Sequence, residues 1–395
     1  MTAPTDTSGH ETTRPPLTAW HRELALLQRR RGRSGLDVSE RDRLGRLHDT
    51  CLDEPHLGEE GQITCLLTRP FSRTLAVPEY YQYTCMHVYG WFLDRYPGDP
   101  VHGVLLAAHA TVADLAGMER AGWPTTDRPD HIAERIEGLD GLLAALGEVR
   151  IDHATGLRVR DVLDRAAADP VLSRRLEVLA ECTRFPRSAK HEEHVFLRSV
   201  QVCEMLFFLI RRLAVEVTVS HGEFPARCAG LLDLAGDCAQ LLNEVFQVLL
   251  TLSPEGFMTF RDETGAASAV QSLNYHAMEI AVYGYDPRKA PVFASVEHLT
   301  AFNDAGVREH RSLSTATAGT ADAALAAGWH RLDRTLSRWR GGHYRFARTY
   351  LPSGTKGSGD TEGAAYVRKF VRKDLCLAGI DPFGGLPLLS GFLYC

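Results

Sequence analysis

Trp329, Leu332, Leu336, Trp339, His343, Phe346 and Tyr350 follow one another at alternating spacings of three and four. Such spacing puts them on one helix face, so the His343 imidazole points into an apolar interior. A core histidine satisfied by one backbone carbonyl is one outcome. The other is an axial ligand to haem iron, because a neutral imidazole facing a large apolar cavity suits that role. Gly341 and Gly342 just before it each cost a helix about 1 kcal/mol, which a bulky flat group approaching the backbone would explain. Arg338, Arg340, Arg345 and Arg348 flank the stripe. They either pair with the propionates of such a group or form a solvated basic face.

His191-Glu192-Glu193-His194 opens an unusually apolar stretch. Its histidines stand at i,i+3, not the i,i+4 of the His-Glu-x-x-His zinc signature. None of the 17 histidines has a Glu three residues before it, which removes the usual di-iron bundle. His191 is then either a hydrogen-bonding group in a pocket or a surface residue of a first turn. In Phe257-Met258-Thr259-Phe260-Arg261, an arginine between apolar residues either grips a carboxylate bidentately or pairs with Asp262 or Glu263. The loop Gly354–Gly363 is glycine-rich, but its order is wrong for a Walker A loop and no strand precedes it. It is a flexible lid or linker, or a substrate loop offering hydroxyls and N–H groups.

The elements that must position these groups are helices. Helical periodicity marks 24–33, 80–96, 102–120, 131–146 and 174–182, while alternating β-type runs are scarce, so the fold class is all-α. Two long helical stretches, 191–217 and 226–252, suit a bundle. Ser253-Pro254-Glu255 has the N-cap, first-turn proline and acid of a new short helix. Residues 312–320, rich in Ser, Thr, Ala and Gly, are expected to form a mobile loop, and a last long helix covers 321–350. We expect a disordered tail at 1–17, an N-terminal helical domain of unassigned role at 18–180, and a second domain at 181–395. Tyr80, Tyr81, Tyr83, Tyr89 and Trp91 serve core packing or a pocket lid.

Composition narrows the function classes. Of 395 residues, 44 are basic and 50 acidic, a net charge of −6; a nucleic-acid partner is not expected from an acidic balance. No uninterrupted apolar run reaches the ~20 residues of a spanning helix, and the polar N-terminus lacks the pattern of a signal peptide. The nine cysteines are scattered without a CxxC, so neither disulfides nor structural zinc is expected. These features predict a cytoplasmic protein with no membrane partner.

Four segments, in this order, resemble the haem-dependent tryptophan 2,3-dioxygenase family, within the superfamily that includes indoleamine 2,3-dioxygenase. They are HEEHVFLRSVQVCEMLFFLI, TLSPEGFMTFRDETGAASAVQSLNYHAMEI, RWRGGHYRFARTYL and KGSGDTEGAAYVRK. The resemblance covers about residues 185–376. It implies a helical bundle enclosing a b-type haem, with dioxygen as co-substrate and a small aromatic amino acid as substrate. Carried over by position, His343 is the iron ligand, and Trp339, Arg340 and Phe346 belong to the cofactor pocket. His191 is the distal catalytic histidine, Arg261 grips the substrate carboxylate, and Phe257 lines the pocket. Ser358, with Thr355 as a substitute, helps to hold the amino-acid end. A possible homo-oligomer also follows from the resemblance, since tryptophan dioxygenases are tetramers.

Three departures from the family stand out: the loop reads Gly-Ser-Gly-Asp-Thr-Glu-Gly, Val270 replaces an aromatic, and Glu204-Met205-Leu206 replaces Glu-Leu-Trp. The expected reaction inserts dioxygen across the indole C2–C3 bond of tryptophan or a derivative to give an N-formylkynurenine-type product. The alternatives are a haem monooxygenase of an aromatic amino acid and a non-catalytic haem or gas-sensing protein.

Overall fold

The computed structural model describes residues 20–123, 128–265, 267–351, 354, 356–357, 361–373 and 379–394. The expected tail at 1–17 lies outside them. Helices carry the fold, and among the described residues no strand forms; only the bridges Arg150–Arg158 and His310–Asp381 join chain segments in that manner.

The centre is the helix His191–Ser220, in which the run Met205–Ile210 is buried on every side. A helix that is apolar all round needs neighbours all round. Pro100–Gly122, Pro225–Leu249 and Leu273–Tyr283 supply them, and Ala323–Tyr350 packs on Pro225–Leu249. Pro100–Gly122 is long and apolar enough to cross a membrane by length and composition, yet 61% of its most apolar window is buried inside the protein.

Local signals fix the helix ends. Ser253 accepts from Gly256 N–H at 2.8 Å with Pro254 in the first turn, as its sequence predicts. Asp322 caps Ala323–Tyr350 through Ala324 and Leu325 N–H. That helix stops at Leu351, whose extended backbone is the conformation favoured before a proline.

The segment expected to be a mobile loop at 312–320 instead contains the helix Leu313–Thr317. Ser312 caps it, and Leu313, Ser314, Ala316 and Thr317 are buried against His191–Ser220 and Leu273–Tyr283. The small side chains that read as loop composition are what let this turn lie close to its neighbours.

One apolar cluster runs from Leu24 to Leu389, across the expected boundary near residue 180. Polar ties cross it as well. Glu204, fully buried, accepts from Tyr80 Oη at 2.7 Å, from Asn274 Nδ2 at 3.0 Å and from Ser272. Arg198 joins Asp114, Thr183 and Gln201. Buried polar groups are mostly hydrogen-bonded in this way.

Candidate active site

Helix packing leaves a cavity of about 260 Å³, the volume open to the centres of water molecules. Its walls are mainly aromatic. From Ala323–Tyr350 come Trp339, His343, Phe346 and Tyr350, while Leu332 and Leu336 of the same stripe are sealed in the core. The stripe therefore divides along its length, and only its C-terminal half faces the cavity.

His343 is enclosed by protein but open to the cavity. Its ring lies 5.7 Å from Phe246 and 5.6 Å from Trp339, centre to centre. No hydrogen bond reaches either ring nitrogen among the described residues. Burial lowers its pKa to about 4, so at neutral pH the imidazole keeps a free lone pair. The buried Trp339 Nε1–H also lacks a partner among the described residues. Of the four flanking arginines only Arg340 is buried; Arg338, Arg345 and Arg348 are exposed. Gly341 and Gly342 do not line the cavity, and a Cβ at Gly341 would meet nothing within 4 Å.

Phe257 and Arg261 are one turn apart on Pro254–Arg261, and both line the cavity. Phe257 packs edge-on to Phe196, Phe346 and Tyr350, with ring centres 5.5, 6.0 and 5.6 Å away. Arg261 is partly buried and forms no ion pair among the described residues; neither Asp262 nor Glu263 takes it. It donates to Lys356 O, which ties the short helix to the glycine-rich loop. Gly357, Thr361 and Gly363 of that loop reach the cavity. A Cβ at Gly357 would lie 2.4 Å from Thr361 Oγ1, so any larger residue there would displace the Thr361 side chain. Thr355 and Ser358 lie outside the described residues.

His191 is not among the residues lining the cavity. The face turned inward carries Phe196, Val200, Cys203 and Phe207, and His191 stands about 140° around the helix from Phe196 at 3.6 residues per turn. It hydrogen-bonds Glu119 at 2.9 Å and meets the Trp123 ring edge-on. Glu192 pairs with Arg135 at 2.7 Å, and Glu193 accepts from Arg187 and Ser188 N–H at 2.8 and 2.7 Å. The His-Glu-Glu-His run is thus a latch between helices. Burial lowers the His194 pKa to about 3, and among the described residues no cluster of metal-ligating side chains forms.

The hydrogen bond to Glu119 raises the His191 pKa. A raised pKa contributes stability that is complete below the ordinary value of about 6.5 and lost as pH rises through the folded value. The stability difference between the protein and a His191→Gln variant is therefore expected to shrink as pH rises above about 6.5. Denaturant midpoints across that range check this; a difference that stays constant would contradict it.

Two cavity residues carry no periodic signal in the sequence. Lys289, just after the turn Asp286-Pro287-Arg288, points its ammonium at His276 Nδ1, 3.2 Å away. Because His276 Nε2 lies 2.8 Å from Val270 O, the neutral ring donates there and accepts from Lys289. Tyr80 and Tyr83, from outside the segment of family resemblance, line the cavity, while Tyr81 and Tyr89 are core.

No family model matches the chain. Curated relatives do. The tryptophan 2,3-dioxygenase of Xanthomonas euvesicatoria is 31% identical over 111 residues, 28% of this chain and 37% of that protein. That of Xanthomonas oryzae is 32% identical over 108 residues, covering 27% and 36%. The tryptophan 2,3-dioxygenase of Ruegeria pomeroyi is 24% identical over 236 residues, 49% of this chain and 84% of its own. Over a segment, this chain resembles the tryptophan 2,3-dioxygenases. The matched stretch spans little more than a third of the Xanthomonas proteins' length. An all-α fold accompanies the tryptophan-dioxygenase likeness.

Proposed function

We propose that the protein is a haem-dependent oxygenase of L-tryptophan or a tryptophan derivative, opening the indole C2–C3 bond to an N-formylkynurenine-type product. One observation carries the reading. Among the described residues, a neutral imidazole without a hydrogen-bond partner, His343, shares an aromatic cavity with an arginine that no carboxylate pairs, Arg261.

These residues fit a b-type haem. His343 would hold the iron, Trp339 and Phe346 would flank the porphyrin, and Arg340 would meet its carboxylates. When bound, haem supplies the activation of dioxygen. The protein's own part is placement and dryness. Arg261 takes the substrate carboxylate, and Phe257 with Phe196 and Tyr350 offers faces and edges to the indole ring. Fixing both ends of the substrate removes much of the entropic barrier to reaction. Ser358 and Thr355, next to Lys356, are the expected hydroxyls for the ammonium end.

The wall offers no carboxylate and no free imidazole other than His343 among its described residues, since His276 is engaged at both nitrogens. The indole N–H therefore meets aromatic, aliphatic and hydroxyl side chains among the described residues, not the distal histidine that the resemblance implies. This favours a second reading, insertion of one oxygen atom by a monooxygenase of an aromatic amino acid.

The haem-loaded protein, reduced and given L-tryptophan under 18O-labelled dioxygen, separates the two by product mass. Two labelled atoms in one product are expected. One atom would move the assignment to the monooxygenase, and none with any aromatic amino acid would end the oxygenase reading.

A further inference from the structure

A second cavity, of about 240 Å³, lies behind the first. His276 and Lys289 line both, so they form part of the partition between an aromatic space and a charged one. Around that partition, among the described residues, three cations meet a single buried carboxylate: Arg340 lines the first cavity, Lys373 and Glu279 the second, and Lys289 both. Glu279 lies 3.6 Å from Arg340 Nη1 and 3.9 Å from Lys289 Nζ, and it contacts Lys373 Nζ. None of these four side chains is more than 6% exposed. Asp333 reaches Arg340 at 4.0 Å, but it is 40% exposed and also accepts from Tyr283. Asp286 is committed to Arg288 at 2.8 Å. Arg340 Nη1 has no hydrogen-bond partner among the described residues.

Excess buried positive charge is costly unless an anion joins it. Burial lowers the pKa of Lys289 to about 7 and that of Lys373 to about 8, with Asp286 partly offsetting the shift at Lys289. Aromatic rings offset part of the cost. Lys289 sits 4.5 Å from the Tyr275 ring centre and Arg340 4.7 Å from that of Tyr283. Rings attract cations but do not neutralise them. Among the described residues positive side chains therefore outnumber negative ones, which suits an added anion, and Arg340, on the wall of the aromatic cavity, stands one helical turn from His343.

We propose that Lys289, Lys373 and Arg340 form a clamp for the two propionate carboxylates of haem, with Glu279 holding the three cations together until those carboxylates arrive. The clamp rests on the haem reading above and adds to Arg340 two residues from outside 329–350, Lys289 and Lys373. It requires the porphyrin to lie in the aromatic cavity with its carboxylates towards the partition.

The test is haem loss from the full-length protein to excess apomyoglobin, followed by absorbance, for the unmodified protein, Lys289→Met and Lys373→Met. Methionine keeps the bulk and removes the charge. Each variant is expected to lose haem about tenfold faster or more, as befits a lost charge-assisted bond. The Soret position should stay unchanged, because His343 is untouched. Haem dimethyl ester supplies the control on the unmodified chain, and it should leave as fast as haem leaves the variants. With the ester, the variants and the unmodified protein should become equal. Equal haem retention in all three proteins, or an ester held as tightly as haem, would overturn the clamp while leaving the haem reading intact. Unchanged haem loss with weakened L-tryptophan binding would overturn it too, assigning the cations to the substrate carboxylate. Failure of the unmodified protein to take up haem would overturn the function above, and the clamp with it.

Discussion

Replacing His343 by alanine is expected to strip the protein of its haem spectrum while leaving the apoprotein folded. The imidazole forms no hydrogen bond among the described residues, and its neighbours are the rings of Phe246 and Trp339. Nothing in the core depends on it for polar satisfaction, so the stability change should stay near 1 kcal/mol, within the ordinary range for single substitutions. Binding of haem should suffer far more. Even outer partners at metal sites are worth about 10–100-fold in affinity, and loss of the axial ligand should exceed that. A His343→Gly variant supplied with free imidazole should recover the Soret band, since the small molecule can occupy the vacated space. Absorbance titration with haem, beside thermal unfolding of each apoprotein, checks both halves. An unshifted Soret band of normal intensity in the alanine variant would remove His343 from the iron.

Arg261→Met is expected to lower kcat/KM for L-tryptophan by about 10²–10³-fold, mostly through KM, with the haem spectrum unaltered. A buried charge pair is worth about 2–5 kcal/mol when one partner is removed, and the guanidinium has no competing carboxylate among the described residues. Lysine should not rescue the activity, because an ammonium cannot reproduce a bidentate fork. Tryptamine, which lacks the carboxylate, sharpens the test. The unmodified protein should discriminate strongly between tryptophan and tryptamine, whereas the variant should treat them nearly alike. Equal discrimination in both proteins would mean that Arg261 holds only Lys356 O and the loop.

The residues around these two predictions were readable to different degrees. The 329–350 stripe was legible because an amphipathic period fixes which side of a helix is inward. Ser253-Pro254-Glu255 was legible because a cap is a local hydrogen bond. Composition misled at 312–320, where small polar residues serve close packing in the helix Leu313–Thr317.

His191 shows a different limit. Its helix is buried on every side over Met205–Ile210, so the sequence carries no dominant moment to say which face meets the cavity. A motif at the start of such a helix has no readable phase. The structure supplies it, giving Phe196, Val200, Cys203 and Phe207 to the cavity and His191 to Glu119.

By itself, the sequence determined an all-α chain, the inward placement of His343 and the short helix opened by Ser253-Pro254-Glu255. All three rest on interactions within a few residues. The tertiary structure decided the rest. Only packing brings Lys289, Arg340 and Lys373, from three separate segments, onto Glu279. Only packing leaves Arg261 without a carboxylate among the described residues and turns His191 away. Those outcomes depend on which helices meet, and no local period encodes contact between residues far apart along the chain.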